Sequence, residues 1–314
     1  MTMTMPMTMT TARRAVLAFA APLLVSGFAY AAAPAPAAPD FSAVEIKTTD
    51  LGNKTYMLEG QGGNITVAVG DDGIIMVDTQ FAPLHDKIKA AVAKLSPQPI
   101  KYIVNTHYHG DHTGGDAPFQ KDGAVVVAHP NINKRLAAPV ANALTGATPP
   151  AVSGDALPKQ PYTTATTSLA VRGRAAQVMH QPNAHTDGDS SVYFADANVL
   201  ATGDIVSIGN RYPNIDVAVG GSINGMIGAV DNYLKVSNDT TKIVPGHGTL
   251  MNKAQLTQYR ALLVTARDRV ATLIKAGKSE DDVVNAKPIA DLEKQAGANE
   301  MATTNFLRLI YRSL

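Results

Sequence analysis

Residues His107-Tyr108-His109-Gly110-Asp111-His112 place three imidazoles and a carboxylate within six positions of a 314-residue chain. Side chains of these types hold metal ions: neutral imidazole and carboxylate suit zinc, and imidazole also serves iron, copper and nickel. Tyr102 to Asn105 reads as a short buried strand, and Gly110 to Gly115 as the Gly-rich loop that follows it. His107 and His109 are two apart, so in extended chain their rings point to one side and can pinch one ion. Asp111 and His112 lie past the bend at Gly110, where they can turn toward a second.

Two coordination spheres need more ligands than one cluster offers, and three later strand ends supply them. His185 follows the apolar stretch Ala176 to Met179, Asp204 follows Val199 to Thr202 and a glycine, and His247 sits in Ile243-Val244-Pro245-Gly246-His247-Gly248. Taken singly, a polar residue after a strand is usually a turn former. Their joint occurrence is what points to a metal centre. His85, His129 and His180 stay outside this set and read as structural or surface histidines.

This pattern resembles the metallo-β-lactamase superfamily, whose signature is His-x-His-x-Asp-His followed at long intervals by a His, a bridging Asp and a final His. The likeness runs from about Val44 to about Ala276. It implies that His107, His109 and His185 hold a first zinc, that Asp111, His112 and His247 hold a second, and that Asp204 bridges them. It also implies that Asp78, at the end of the apolar strand Gly73 to Val77, organises the ligand loop. The chain contains no cysteine, which sets aside the branch with a thiolate ligand on its second metal. The ligand set is instead similar to that of glyoxalase II and the acyl-homoserine lactonases.

The resemblance implies two zinc ions per chain, with iron possible, and with zinc a hydrolase. Such a pair lowers the pKa of a shared water, and the resulting metal-bound hydroxide attacks a carbonyl. Asp111 is the expected catalytic residue, orienting that hydroxide while it ligates. A β-lactam or related cyclic amide or ester is the first expectation for the small-molecule substrate; a lactone or a thioester of the glyoxalase II type is the alternative. An iron-dependent sulfur dioxygenase and a non-catalytic zinc-binding protein are the remaining readings. Substrate contacts are sought in Ser207 to Pro213, where Asn210, Arg211 and Tyr212 follow the bridging Asp204, and at Tyr108. Glu59 to Asn64 occupies the place of a substrate-covering flap, and Ala137 to Tyr162, rich in Ala, Pro and Thr, is a lid or a spacer.

The amino terminus points to export. Arg13 and Arg14 precede an apolar stretch from Ala15 to Ala29, and Ala29-Tyr30-Ala31 fits a small-x-small cleavage pattern. Residues 1–31 therefore read as a signal peptide and 32–43 as an extended Ala/Pro linker, which makes the expected product periplasmic or secreted, without membrane anchoring after cleavage. The formal net charge of +1 and the lack of a Lys/Arg run argue against a nucleic-acid partner.

The ligands must be positioned by the remaining residues, 44–314, whose length suits one large hydrolase domain. Strands are expected at Lys54 to Leu58, Asn64 to Val69, Gly73 to Val77, Ile100 to Asn105 and Ala124 to Ala128, with an amphipathic helix at Pro83 to Leu95. A second set comprises Ser168 to Val171, Ala176 to Met179, Ser190 to Phe194, Val199 to Thr202 and Lys242 to Val244, flanked by helices at Ser222 to Ser237 and Lys253 to Ala276. Apolar strands covered by outer helices predict an α/β fold, a four-layer αβ/βα sandwich with the ligand loops gathered at one edge. Further helices are expected at Ala271 to Ala286 and Met301 to Leu314. The stripe Phe306, Leu307, Ile310 and Tyr311 is expected to pack on the outer face, and the charges between Lys278 and Lys294 to be a solvated surface.

Overall fold

The computed structural model describes residues 1–3 and 40–314; the expected signal peptide and most of the linker lie outside the described residues. The first sheet has seven strands in sequence order: β1 Lys47–Gly52, β2 Thr55–Glu59, β3 Ile65–Val69, β4 Ile74–Val77, β5 Ile100–Val104, β6 Val125–Ala128 and β7 Gln160–Pro161. Strands β1 to β4 pair antiparallel and β4 to β7 parallel. The second sheet contains β8 Thr166–Val171, β9 Arg174–His180, β10 Ser190–Phe194, β11 Val199–Ala201 and β12 Lys242–Val244, in the order β12-β11-β10-β9-β8.

Alternation along the strands separates three cores. In β4, Ile75 and Val77 face the second sheet, while Ile74 and Met76 face outward with Ile88, Val92 and Phe119. In β11, Val199 and Ala201 face the first sheet, and Leu200 faces the opposite side with Met226, Val230 and Leu263. Both faces of these strands are covered, which is why they read as unbroken apolar runs. The outer helices on the first sheet are α1 His85–Ala93, the short α2 Gly110–Thr113, α3 Asp116–Lys121 and α4 Pro130–Ala137. On the second sheet are α5 Ile223–Val236, α6 Lys253–Lys275, α7 Glu280–Asn285, α8 Ala290–Ala296 and α9 Glu300–Ser313. The expected αβ/βα layering is present, and residues 40–314 form one unit.

Several expectations need correction. β1 lies outside the expected strands because it is a polar edge strand whose one buried side chain is Leu51. Gly110 to Gly115 is not an open loop: α2 is closed by Thr113 N–H to His109 O (3.1 Å) and Gly114 N–H to Gly110 O (2.9 Å). The single helix expected at Ala271 to Ala286 is two, because Gly277 takes φ +77° and Ser279 opens α7 with a capping box to Asp282. The charged residues beyond Lys278 are mostly exposed, as expected, but the stretch that carries them also packs. It folds into α7 and α8, buries Val283 and Ile289, and pairs Glu280 with Arg308 at 2.6 Å. The apolar stripe of α9 does pack inward: Phe306, Leu307 and Ile310 are buried with α5 and α6.

Candidate metal centre

Strands β4 and β5 run parallel, and β9, β11 and β12 share one direction because each is separated by the antiparallel β10 or paired in parallel. Their carboxyl ends meet at one edge of the sandwich, so Asp78, the His107 cluster, His185, Asp204 and His247 converge there. The edge is laced across the sheets: Asn64 N–H donates to Gly246 O (2.7 Å), and Ser190 N–H to Thr106 O (2.7 Å). Gly203 turns the chain into Asp204 with φ +54°, and a Cβ on it would lie 2.7 Å from Thr106 Cβ.

Four of the side chains, His107, His109, His185 and Asp204, bring one ligand atom each to within 4.8 Å of one another, and Asp111, His112 and His247 do the same beside them. His109 Nδ1 stands 3.1 Å from His107 Nε2 and 3.1 Å from His185 Nε2. Tetrahedral zinc with bonds near 2.0–2.1 Å would separate two ring nitrogens by about 3.3 Å, close to this spacing. In the second group His247 Nε2 lies 3.2 Å from Asp111 Oδ2 and 3.4 Å from His112 Nε2. Asp204 reaches both: Oδ1 is 3.2 Å from His112 Nε2, and Oδ2 is 3.5 Å from His247 Nε2 and 3.9 Å from His185 Nε2.

The far nitrogen of four rings is spoken for by an acceptor, and this sets their tautomers. His107 Nδ1–H donates to Thr106 Oγ1 (3.0 Å), whose own proton goes to Asp78. His109 Nε2–H donates to Asp216 Oδ2 (3.1 Å), His185 Nδ1–H to Asn214 O (2.8 Å), and His112 Nδ1–H to Asp78 Oδ2 (2.8 Å). The inward nitrogens of His107, His109 and His185 therefore present lone pairs to one another, and the buried Asp204 Oδ1 faces His112 Nε2 at 3.2 Å. Converging lone pairs and carboxylates repel unless a cation lies between them, so the donor set fits metal.

The electrostatics divide the cluster: rings of the first group are held neutral, while in the second the carboxylates draw a proton onto His112 and bring His247 up to about 9, the positive charge that a bound cation would supply instead. Burial, then the neighbouring His112 and His185, hold the His107 imidazole well below its usual pKa, and burial and His109 bring His185 down to about 4, so both rings are neutral and able to donate to a metal. On the other side, burial opposes charge but Asp204 and Asp78 outweigh it and raise His112 well above its usual value. Burial likewise pushes Asp111 up, but hydrogen bonding from His247 and the charge of His112 bring its carboxyl down to about 2.

Of the expected substrate contacts, Tyr108 lies beside the centre. Its ring centroid is 4.6 Å from that of His109, and its hydroxyl donates to Asp216 Oδ2, the acceptor that also holds His109. Tyr212 is placed elsewhere: it is buried in the helical core and stacks on Phe306 with centroids 4.6 Å apart. Asn210 and Arg211 are exposed and line a cavity of about 460 Å³ with Gln258 and Lys294, and none of the seven clustered side chains borders it. The expected flap is pinned, with Gly63 N–H donating to Asp111 O (3.0 Å) and Gln80 Nε2 donating to Gly63 O (2.7 Å). His85, between Asp86 and Asp122, and the stacked pair His129 and His180 lie outside the cluster, as expected.

Sequence reasoning missed Asp216 and Thr106. Neither belongs to a recognisable spacing; Asp216 reaches His109 from 107 residues away. A signal for Thr106 was its position between the strand end and His107.

A family model described as the metallo-beta-lactamase superfamily matches residues 58–247. The chain is 28% identical over 153 residues to 2,4-dinitroanisole O-demethylase subunit alpha of Nocardioides sp. (strain JS1661), covering 47% of this chain and 42% of that protein. The chain thus spans less than half the length of that curated relative. Among solved structures, a metallo-beta-lactamase from Pontibacter korlensis superposes with a TM-score of 0.57 at 19% identity, over 70% of this chain and 99% of that one. The sec-alkylsulfatase Pisa1 from Pseudomonas sp. superposes with a TM-score of 0.64 at 19% identity, over 85% of this chain and 50% of that one. At such identities the structures speak for the fold alone. The family match takes in more than half of the chain and all seven clustered side chains, and the chain belongs to the metallo-beta-lactamase superfamily.

Proposed function

We propose that this protein is a dinuclear zinc hydrolase that delivers water to the carbonyl of a small, uncharged ester or lactone. One observation carries the reading: four histidines whose outer nitrogens are held as donors turn their inner nitrogens on common points shared with Asp204. When bound, a pair of divalent cations supplies Lewis acidity, making water nucleophilic at neutral pH and drawing charge from an acyl oxygen. His107, His109 and His185 would hold one ion, Asp111, His112 and His247 the other, with Asp204 between them. Asp111 is ionised and partly exposed, which suits it to orient the attacking water. Asp78 and Asp216 fix the rings of His112 and His109 from behind.

The choice of ester or lactone over β-lactam rests on charge. A β-lactam antibiotic carries a carboxylate that calls for a cation at the site. Arg135, beside His109, is paired with Asp187 at 2.6 Å, and Arg211 lines a different cavity. The curated relative's printed substrate, 2,4-dinitroanisole, is also an uncharged molecule. The leader pattern supports export to the periplasm or beyond, which fractionation of expressing cells tests.

The deciding experiment measures metal content of the purified protein together with turnover of a lactone, an ester, a thioester and a chromogenic cephalosporin, with and without chelator. About two zincs per chain and chelator-sensitive hydrolysis are expected. His109→Ala and Asp204→Asn should abolish that turnover while the protein stays folded. Full activity in either folded variant would refute the site, and one iron with oxygen consumption would redirect it to oxygen chemistry.

A further inference from the structure

A cavity of about 210 Å³ opens against the ligand His109. Tyr108, His109 and Gly110 form one side of it; Leu136, Pro149, Pro150 and Val152 contribute an apolar wall. Arg135 is the one Lys, Arg, Asp or Glu side chain among the lining residues, and Asp187 takes its guanidinium at two atoms, Nε at 3.3 Å and Nη2 at 2.6 Å. A charged guest would have to leave water for apolar side chains and an already neutralised arginine, which is unfavourable.

The wall is built in advance. Val152 N–H donates to Leu136 O (3.0 Å), and Gln120 Nε2 donates to Asp155 O (2.7 Å) and Leu157 O (2.9 Å). At the far end of the segment, Arg312 Nη1 of α9 donates to Ala143 O (2.6 Å), and Leu144 packs against the helical core. The stretch read from sequence as a lid or spacer is thus tied at both ends and in between. A cavity of about 150 Å³ is enough to take up benzene.

We propose that this cavity is the subsite for the non-reacting part of the substrate, and that it selects an uncharged apolar group the size of a phenyl ring or a short alkyl chain. The proposal rests on the hydrolase reading above and names the substrate class of that site. Val152 is the specificity-determining position, because it lies on the wall and its replacement changes the space without touching a metal ligand.

The test compares kcat/KM of the zinc-loaded full chain for acetate, phenylacetate and succinate monoesters of one chromogenic alcohol, and for methyl and benzyl acetate. In at least one of the two series the larger apolar substrate should exceed the small one by tenfold or more, with the succinate the poorest. Val152→Phe, which fills the cavity, should collapse that ratio to near one, and Val152→Ala should preserve or raise it. A ratio near one in the wild type, or a ratio that neither folded variant moves, overturns the subsite while leaving the hydrolase intact. If none of these esters is turned over, the cavity is judged by saturation-transfer NMR with benzyl alcohol on the same protein, and the hydrolase reading fails only if the lactone and thioester are not turned over either. Binding that Val152→Phe removes supports it; no binding, or equal binding in the variant, overturns it.

Discussion

Asp78 and His112, both buried, share a hydrogen bond of 2.8 Å in which His112 Nδ1–H donates to Asp78 Oδ2. The same carboxylate accepts Thr106 N–H on Oδ1 (2.7 Å) and the Thr106 hydroxyl on Oδ2 (2.7 Å). One side chain at the end of β4 therefore anchors the start of the ligand loop and sets the tautomer of a ligand within it. Asp78 does so from φ +64°, a conformation that aspartate and asparagine tolerate better than most residues.

Asp78→Asn keeps the shape and the backbone tolerance but loses the acceptor for His112. Metal affinity should fall by about 10–100-fold with the fold retained, as for other groups that orient a metal's ligands. Titration against a competing chelator measures it, and an unchanged affinity would strip Asp78 of this role.

Asp216 accepts two hydrogen bonds, one from Tyr108 and one from His109. Asp216→Ala frees the His109 ring and should weaken metal binding by about 10–100-fold. Tyr108→Phe leaves the His109 hydrogen bond in place and should cost less. If the tyrosine variant proves the worse of the two, Tyr108 acts on something other than Asp216.

Gly63 lies against the ring of His112, and a Cβ there would sit 2.1 Å from His112 Cε1. Neither partner can retreat, since His112 is fully buried and Gly63 is pinned to Asp111 O. Gly63→Ala should destabilise the fold by about 1–3 kcal/mol, the usual cost of overpacking, and lower the metal content. A normal melting temperature with full metal loading would show that the flap can shift.

Among the described residues Asp116 has no ion partner; it accepts from Thr79 Oγ1 (2.9 Å) and Asn105 Nδ2 (3.1 Å), and burial raises its carboxyl to about 8. A carboxyl raised in the folded state keeps its proton where the unfolded chain has lost it. Its stabilising contribution is complete below about pH 4 and falls as pH rises toward 8, by up to about 1.4 kcal/mol per pH unit. Asp189, also raised to about 8 by burial, acts in the same direction. Asp116→Asn should therefore raise the melting temperature, and more at pH 8 than at pH 5. A gain that is the same at both values would mean that Asp116 is not the titrating group.

Local pattern carried a good deal of this architecture. Ser190 to Phe194 and Lys242 to Val244 are strands with the bounds that their apolar runs suggest, and Ser222 caps α5 by accepting from Gly225 N–H. Elements with little apolar surface of their own escaped. β1 is held by pairing with β2 rather than by burial, and α4 is made stable by what lies under it, Ile132 and Leu136 against Tyr108.

The sequence by itself determined which side chains can bind metal, because donor type and the spacing of His107, His109, Asp111 and His112 are chemical and local properties. It also marked the strands that carry them, since their short unbroken apolar runs show in the residues themselves. Tertiary structure alone decided what stands behind the ligands and beside them. Asp216 meets His109, and Val152 faces the cavity next to it, through folding that joins residues far apart in the chain. Tyr212 shows the converse: eight residues past Asp204, it turns into the helical core, where stacking on Phe306 hides its ring from water. Burial and long-range hydrogen bonds belong to the packed molecule, and no short stretch of sequence contains them.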